Sequence, residues 1–489
     1  FVSHAPKLHY QIAANIWVGS YIGNGIAAQV EPQVQWLLAQ GITLIIDLTA
    51  PSDELPSYLP QLTQYAPQIT RLSFAISDGD TPAPVTMLEI LDTLSAAQLQ
   101  HTNVYIHSWR GISRTGMVAS CWLMRQGATA DAARRHILQI LPTRSTHVSP
   151  DFQEQIDFVY DWQEPDAQTA QRWRRWRDVF RGALIGGAVG DAFGVTNEHK
   201  IPQIIQQVTD IVGGGPFALP AGWWSDDTAS MLCVVTSLIT QRGFDAHDQA
   251  RRLLRLWRDG YLSCGGRTYD LGNVNMMALY HYMMTNTPYT AITTDHAAST
   301  GSLIRVAPLG LFYAANPMAL CEYTRDASRI THGAAASIQS CHIVTTLLAR
   351  TVYCQDKATL FTQYWLGIPA ESGVHQVLTG NYTKQHRDVF QGSYVLDSLD
   401  MVLRGLQHYD DFASGMLALA NTGGMQGAAC TVYGQIAGAL YGESSIPLHW
   451  RQKITRYHEI AWYADTLLRY VWKSLPHTNH IPPGLFAEA

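Results

Sequence analysis

This 489-residue sequence has no paired-cysteine signature. Its seven cysteines, at 121, 233, 264, 321, 341, 354 and 430, are odd in number, and none is spaced CxxC. Several sit in apolar runs such as SMLCVVTSLI, which argues against a disulfide framework or a cysteine zinc site and for buried free thiols. Free thiols fit a reducing compartment, so the cytoplasm is the expected location. No stretch reaches the roughly 18 uninterrupted apolar residues of a membrane helix, so no membrane partner is expected. Long basic stretches are missing too. The net charge is −6, and the basic run RWRRWRD, Arg172 to Arg177, reads as a solvated helix face, so nucleic acid is not an expected partner. The chain opens at Phe1 rather than Met, which is expected to mark a trimmed N-terminus and leaves an upstream secretion signal open.

From about residue 175 onward a strand pattern is almost absent. Apolar helical periodicity dominates there, with small residues at helical spacing in GALIGGAVGDAFG and GAACTVYGQIAGALYG, a pattern that lets helices approach closely. Residues 1–161 differ. NIWVGSY, ITLIIDLT, ITRLSFAI and NVYIHS read as strands, while QVQWLLAQG, VTMLEILDTLSAAQLQ and GMVASCWLMRQG read as helices. The expected architecture is multidomain: an α/β N-terminal domain over 1–161, a polar linker over 162–177 and an all-α C-terminal domain over 178–489. The oligomeric state is not legible.

Strand NVYI runs into HSWRGISRTG and then into an apolar helix. Glycines at 111 and 116 let the N–H groups of Trp109, Arg110, Gly111, Ile112, Ser113 and Arg114 gather at a helix start, a natural cradle for an oxyanion. Arg114 can add a bidentate grip on a phosphate. The string resembles the HCxxGxxR[ST]G signature of cysteine-dependent tyrosine and dual-specificity phosphatases, with His107, Gly111, Arg114, Thr115 and Gly116 in their places, and the resemblance spans about 10–145. It implies an α/β phosphatase fold acting on a phosphorylated protein or nucleotide, with His107, Arg114 and Thr115 in the catalytic loop.

What the loop lacks is the cysteine. Ser108 stands at the nucleophile's position, and the field that ionises a thiol cannot ionise a hydroxyl whose intrinsic pKa is far higher. Phosphate binding should survive and a phospho-enzyme should not form. The family also places an aspartic acid to protonate the leaving oxygen. In FAISDGDTPAP that acid is expected to be Asp78, with Asp80 second, while Asp-Gly also suits a plain turn. An intact acid beside a lost nucleophile reads as a recent or introduced change.

In the C-terminal half, GGGPFALPAGWWSDDTASMLC places Ser225, Asp226 and Asp227 at a helix start. Their hard oxygens suit either capping or magnesium. Together with GALIGGAVGDAFGVTNEH, TGSLIRVAPLGLF, ITHGAAA, GSYVLDSLDMVL and GGMQGAACTVYGQIAGALYG, in that order, this segment resembles the ADP-ribosylglycohydrolase family over about 178–475. The resemblance implies an all-helical fold and a two-magnesium site that hydrolyses the bond from ADP-ribose to a protein side chain. It makes Ser225, Asp226 and Asp227 metal ligands, places Glu198 beside the metals as a catalytic carboxylate, and assigns Asp191, Gly213, Gly214, Gly215, Gly301, Ser302, His332, Gly423 and Gly424 to ADP-ribose. Read on its own, His332 suits a satisfied structural histidine, and Trp223 and Trp224 suit either stacking or the core.

The family's last motif, D-x-D-T after two glycines, is also lacking. Here Met425, Gln426, Gly427 and Ala428 follow Gly423 and Gly424, and no acid lies between Asp411 and Glu443. One weak magnesium on Asp226 and Asp227 is the expectation. The expected whole is a bifunctional hydrolase-type protein whose second domain binds and hydrolyses ADP-ribosyl or related ribosyl-nucleotide linkages. The alternative is a metal-poor ADP-ribose-binding module or a divergent enzyme, with the phosphatase as the sole turnover activity.

Overall fold

The computed structural model describes residues 6–141, 149–200, 204–354, 356–361, 369, 372–383, 394–422 and 427–475. The chain divides into two compact units, Phe1–Arg172 and Trp173–Ala489. The division falls inside a helix, Ala167–Asn197. The stretch 162–177, expected as a linker, is therefore irregular only over 162–166. Trp173 and Trp176, three residues apart on one helix face, are each 2% exposed, and their burial keeps the arginine-rich run helical.

The first unit holds strands β1 (His9–Ala13), β2 (Ile16–Ser20), β3 (Ile42–Asp47), β4 (Thr70–Ser73) and β5 (Asn103–Ser108). Their order is β1-β2-β5-β3-β4. The β1 and β2 strands pair antiparallel, and the other neighbours run parallel. Side chains alternate across this sheet. Val104 and Ile106 enter one apolar core with Met117, Val118 and Trp122 of the Ser113–Arg125 helix, while Tyr105 enters the other with Ile45, Val34 and Leu37. The carboxyl ends of β2, β3 and β5 put Ser20, Asp47 and Ser108 along one edge, where parallel sheets present their ligands.

Among the described residues of the second unit, extended pairing is limited to the bridges Gly214–Leu219 and Ser299–Tyr394. The rest is helices and connections. Gly182, Gly186, Gly190 and Gly194 recur every fourth residue along Ala167–Asn197 and lie against Gly438, Gly434, Cys430 and Gly427 of the Gly427–Tyr441 helix. A Cβ at Gly186 would stand 2.2 Å from the Gly434 carbonyl oxygen. The two backbones are in contact, and this seam brings the start of the second helix to Asp191 and Glu198. Gly186→Ala is expected to push the helices apart and destabilise the unit by about 1–3 kcal/mol. Chemical denaturation should show a lower midpoint, and an unchanged one would mean the seam is looser than drawn.

Candidate active sites

The phosphatase-like loop is built at the end of β5. Ser108 is 2% exposed there. Gly111 has φ +74°, and a Cβ on it would meet the Gly19 carbonyl carbon at 2.3 Å, so the turn requires glycine. Ile112 and Ser113 begin the Ser113–Arg125 helix, and the Ser149 hydroxyl donates to the Ile112 carbonyl at 2.7 Å. Thr115 is fully buried in the helix's first turn. Arg114 is 1% exposed, and its Nη1 donates to Asp53 Oδ2 at 2.6 Å and to the Ile76 carbonyl at 2.8 Å. Those two bonds fix the guanidinium plane.

His107 is buried, and its Nε2 lies 2.9 Å from the Tyr58 hydroxyl. Tyr58 in turn donates to Asp47 Oδ2 at 3.2 Å, and Arg71 Nε donates to the same oxygen at 3.0 Å. Burial drives the His107 pKa down to about 4 despite the pull of Asp47, so the ring is neutral. Burial works against charge on Asp47, but Arg71 and the Thr49 hydrogen bonds hold its carboxyl below the usual range. An ionised Asp47 can only accept, so Tyr58 gives it the phenolic proton and His107 keeps its proton on Nε2. His107 is therefore locked at the root of the loop, and its unprotonated Nδ1 has no hydrogen-bond partner, so it does not engage the Ser108 hydroxyl as a base.

Asp78 and Asp80 separate clearly. Asp78 Oδ1 lies 3.3 Å from Arg114 Nη2, and its side chain is 55% exposed. Asp80 is half-buried, accepting the Thr81 N–H at 3.0 Å on its carboxylate and the Gln155 amide on its backbone carbonyl. Asp78 thus lies beside the loop arginine with solvent access. Sequence reasoning missed Asp47, Tyr58, Arg71, Asp53 and Gln155. The one available signal was an aspartate closing the apolar strand ITLIID.

In the helical unit a cleft is lined by Asp191, Glu198, Ser225, Asp226, Asp227 and Asp270, with Ser299, Thr300, Gly301, Gly427 and Ala428 on its other walls. Asp191 accepts from Ser225 N at 2.9 Å and from Thr228 N and Oγ1 at 2.9 and 2.7 Å. Its carboxylate thus clamps the start of the Asp226–Gln241 helix and positions the acidic pair rather than turning to a ligand. Ser225 is that helix's N-cap, its hydroxyl accepting from Asp227 N at 3.3 Å. Asp227 Oδ2 accepts from Thr431 at 2.9 Å. Asp226 is 3% exposed, and its Oδ1 has no hydrogen-bond partner.

That orphan oxygen suits one cation shared with Asp227. The opposite side does not suit a second. Gly427 has no side chain, and Glu198 fills its place: a Cβ on Gly427 would lie 2.1 Å from Glu198 Oε2. The Gly427 N–H also serves the Glu198 carboxylate. Among the described residues no group of three or more His, Cys, Asp and Glu side chains is arranged to hold a metal ion. Met425 and Gln426, with the expected ligand contacts Gly423 and Gly424, lie outside the described residues.

Burial, then the charge of Asp270, raises Glu198 to about 8, and burial with the neighbouring acids raises Asp226 and Asp227 well above the ordinary carboxylate range. A carboxyl raised by folding binds more protons in the native state. Its stabilisation is complete below the ordinary carboxyl pKa and is lost as pH climbs toward 8. The Tm of this unit is expected to fall from pH 5 to pH 8, with Glu198→Gln flattening the slope. Calorimetry across that range checks it, and a rising Tm would contradict these carboxyl shifts.

Several expected ligand residues sit elsewhere. Gly213, Gly214 and Gly215 have φ of +71°, +91° and +66° and form a turn outside the lining. A Cβ on Gly215 would meet the Val195 carbonyl at 1.9 Å and one on Gly213 the Leu219 carbonyl at 2.4 Å, so these two glycines serve backbone packing, while a Cβ on Gly214 would meet nothing within 4 Å. Ser302 is buried, accepts from Ser328 at 3.0 Å and leaves the wall to Ser299, Thr300 and Gly301. His332 is buried behind that wall, with Nε2 2.7 Å from the Ser299 hydroxyl and Nδ1 2.7 Å from Thr331. Trp224 is core, donating to the Thr455 carbonyl at 3.0 Å. Asp270, not anticipated from the sequence, lies on the wall beside His199 at 3.2 Å. Among the described residues no helix is long and apolar enough to cross a membrane.

A phosphate-type loop on a mixed, mostly parallel sheet, followed by an all-helical unit with an acid-lined cleft, defines a two-domain protein of hydrolase type. The family model described as "ADP-ribosylglycohydrolase" matches residues 172–475, and the chain belongs to that family. Residues 25–153 match the model described as "DSP-PTPase phosphatase fused to NAD+ Kinase". The chain is similar to ADP-ribosylarginine hydrolase Tri1 of Serratia proteamaculans (strain 568), with 33% identity over 59% of this chain and 79% of that protein. It is also similar to ADP-ribosylarginine hydrolase Tri1 of Pseudomonas putida (strain GB-1), with 30% identity over 71% of this chain and 95% of that protein. A solved structure titled "ADP-ribosylglycohydrolase-related protein complex" has a TM-score of 0.53 and 31% identity, covering 61% of this chain and 99% of that one.

Proposed function

We propose that this chain binds phosphomonoesters at its first site without turning them over and recognises ADP-ribosyl or related ribosyl-nucleotide groups at its second. At the first site the N–H cradle and Arg114 neutralise the phosphate and hold phosphorus before the Ser108 hydroxyl. Asp78 is placed to give a proton to the leaving oxygen. The nucleophile is what fails: the Ser108 proton has no effective base to go to, because the free lone pair of His107 is on Nδ1, which has no hydrogen-bond partner, and burial leaves that ring only weakly basic, with a pKa of about 4. The ligand is a phosphorylated protein or nucleotide, held as in a substrate trap.

At the second site, relatives named ADP-ribosylarginine hydrolases support an ADP-ribosylated arginine as the ligand. The observation that carries this half is the Glu198 carboxylate standing where a residue-427 side chain would be. It supports a cleft without the paired-magnesium chemistry that the family resemblance implies. A single divalent ion, which would polarise a ribosyl oxygen when bound, would rest on Asp226 and Asp227. Asp191 orients that pair, and Glu198, protonated at neutral pH, can hold or donate a proton over the ribosyl group.

The test is ADP-ribose release from an ADP-ribosylated arginine protein, with magnesium and then with EDTA, beside a calorimetric magnesium titration. The expected result is weak binding of at most one ion and release well below that of a conventional family member. Full release with two tight ions would overturn the proposal. Measurable ADP-ribose binding with no release in either condition would favour the pure binding module, to which Gly427 and Ala428 already point.

A further inference from the structure

Gln155 belongs to neither the phosphate loop nor the acid loop, yet it is hydrogen-bonded to both. It is fully buried. Its Oε1 accepts at 2.5 Å from the hydroxyl of Ser113, the phosphate-loop residue that opens the Ser113–Arg125 helix. Its Nε2 donates to the Asp80 carbonyl at 2.7 Å, in the loop that carries Asp78. One side-chain amide therefore spans the two elements whose separation sets where the acid stands relative to the bound phosphate.

The segment around it is tied down in the same way. Ser149 donates to the Ile112 carbonyl at 2.7 Å, and Asp151 N–H reaches the Ser113 hydroxyl at 3.4 Å. Gly116 faces Ser149 so closely that a Cβ there would overlap its hydroxyl. On the acid side, Gly79 packs against the Phe152 ring, with a Cβ position 3.4 Å away. Within the acid loop, Asp80 N–H bonds back to the Ser77 carbonyl at 3.1 Å, so a hold on Asp80 fixes the turn that presents Asp78. Asp78 itself is half-exposed, with Arg114 as its charged contact at 3.3 Å. A carboxyl so lightly held needs its backbone fixed from behind.

We propose that Gln155 is a positioning residue for the general acid: it sets Asp78 against the leaving oxygen without touching substrate. The proposal rests on the phosphatase reading of this site. In the step concerned, a nucleophile at position 108 bonds to phosphorus, the ester P–O bond breaks, and the Asp78 carboxyl proton passes to the departing oxygen. A leaving group that is stable as an anion needs no such proton, whereas phenoxide, with a conjugate acid near a pKa of about 10, does. Leaving-group dependence thus separates loss of the acid's position from general damage to the loop.

The experiment uses the full-length Ser108→Cys variant with two probes, phenyl phosphate and 6,8-difluoro-4-methylumbelliferyl phosphate. Adding Gln155→Ala is expected to lower kcat/KM on phenyl phosphate about 10- to 100-fold, inside the range general acid catalysis supplies, and to change the activated ester by less than about 3-fold. Gln155→Glu, which preserves size and the Ser113 bond but cannot donate to Asp80, should give the same split. In an Asp78→Asn background Gln155→Ala should add nothing further on phenyl phosphate. Equal losses on both esters, or no loss on either, would overturn the proposal. No turnover of either ester by the Ser108→Cys variant itself would overturn the phosphatase reading, and the proposal with it.

Discussion

Ser108→Cys is expected to convert a chain with no measurable phosphatase activity into one that hydrolyses aryl phosphates. The gain should be about 10³-fold or more, because the change supplies the whole nucleophilic step rather than adjusting it. The cradle is already formed: Gly111 holds the turn at φ +74°, Arg114 is fixed by Asp53 and the Ile76 carbonyl, and the loop opens onto the Ser113–Arg125 helix. A thiol at the foot of that helix experiences the N–H groups and the helix dipole and ionises near neutral pH. Arg114→Ala in the variant should then remove most of the gain, about 10²- to 10³-fold, through loss of oxyanion stabilisation. Alkylation by iodoacetamide as a function of pH reports the thiol directly, and ester hydrolysis reports turnover. Strong turnover by the unaltered Ser108 chain would end the trap interpretation, whatever the variant does.

How much of this was legible beforehand differs between the two sites for a physical reason. The phosphate loop is contiguous, so His107 to Gly116 announce the cradle in one string, and β2, β3 and β5 follow from strand-forming runs. The short strand HYQIA was not expected, because five residues with two apolar side chains carry little signal and gain their place by pairing with β2. The partners that tune the loop were hidden because they come from other elements: Asp53 from a short turn, Tyr58 and Arg71 from either side of a helix, and Gln155 from a later helix. Asp78 was the first choice from the sequence, with Asp80 second, and its contact with Arg114 became visible only in the fold. In the helical unit the acids at 226 and 227 were readable as a pair, but Asp191 had to be seen holding the helix start before its part became clear. Gly213 and Gly215 misled because a glycine-rich string signals close backbone approach without saying to what. Here it is to Val195 and Leu219.

Gly427→Asp, which restores one of the missing family carboxylates, is expected to damage the helical unit rather than repair it. The space for that side chain is occupied, since its Cβ would fall 2.1 Å from Glu198 Oε2 and 2.9 Å from Glu198 Cδ. The introduced carboxylate would join Glu198, Asp226 and Asp227 in a cleft where burial already raises all three toward the neutral form. A buried charge without a partner costs about 3–5 kcal/mol, so the variant should lose a large share of the unit's stability. Glu198→Ala alone frees the space but leaves the Gly427 N–H without its acceptor, at a cost of about 1–3 kcal/mol. If Glu198 has taken over the place of the lost side chain, the two changes compensate. The double variant should be more stable than the sum of the single losses by about 1–3 kcal/mol, a coupling that a denaturation cycle resolves. Strict additivity would mean that Glu198 does not stand in that space, and the case against a second ion would then have to rest on the absent carboxylates alone.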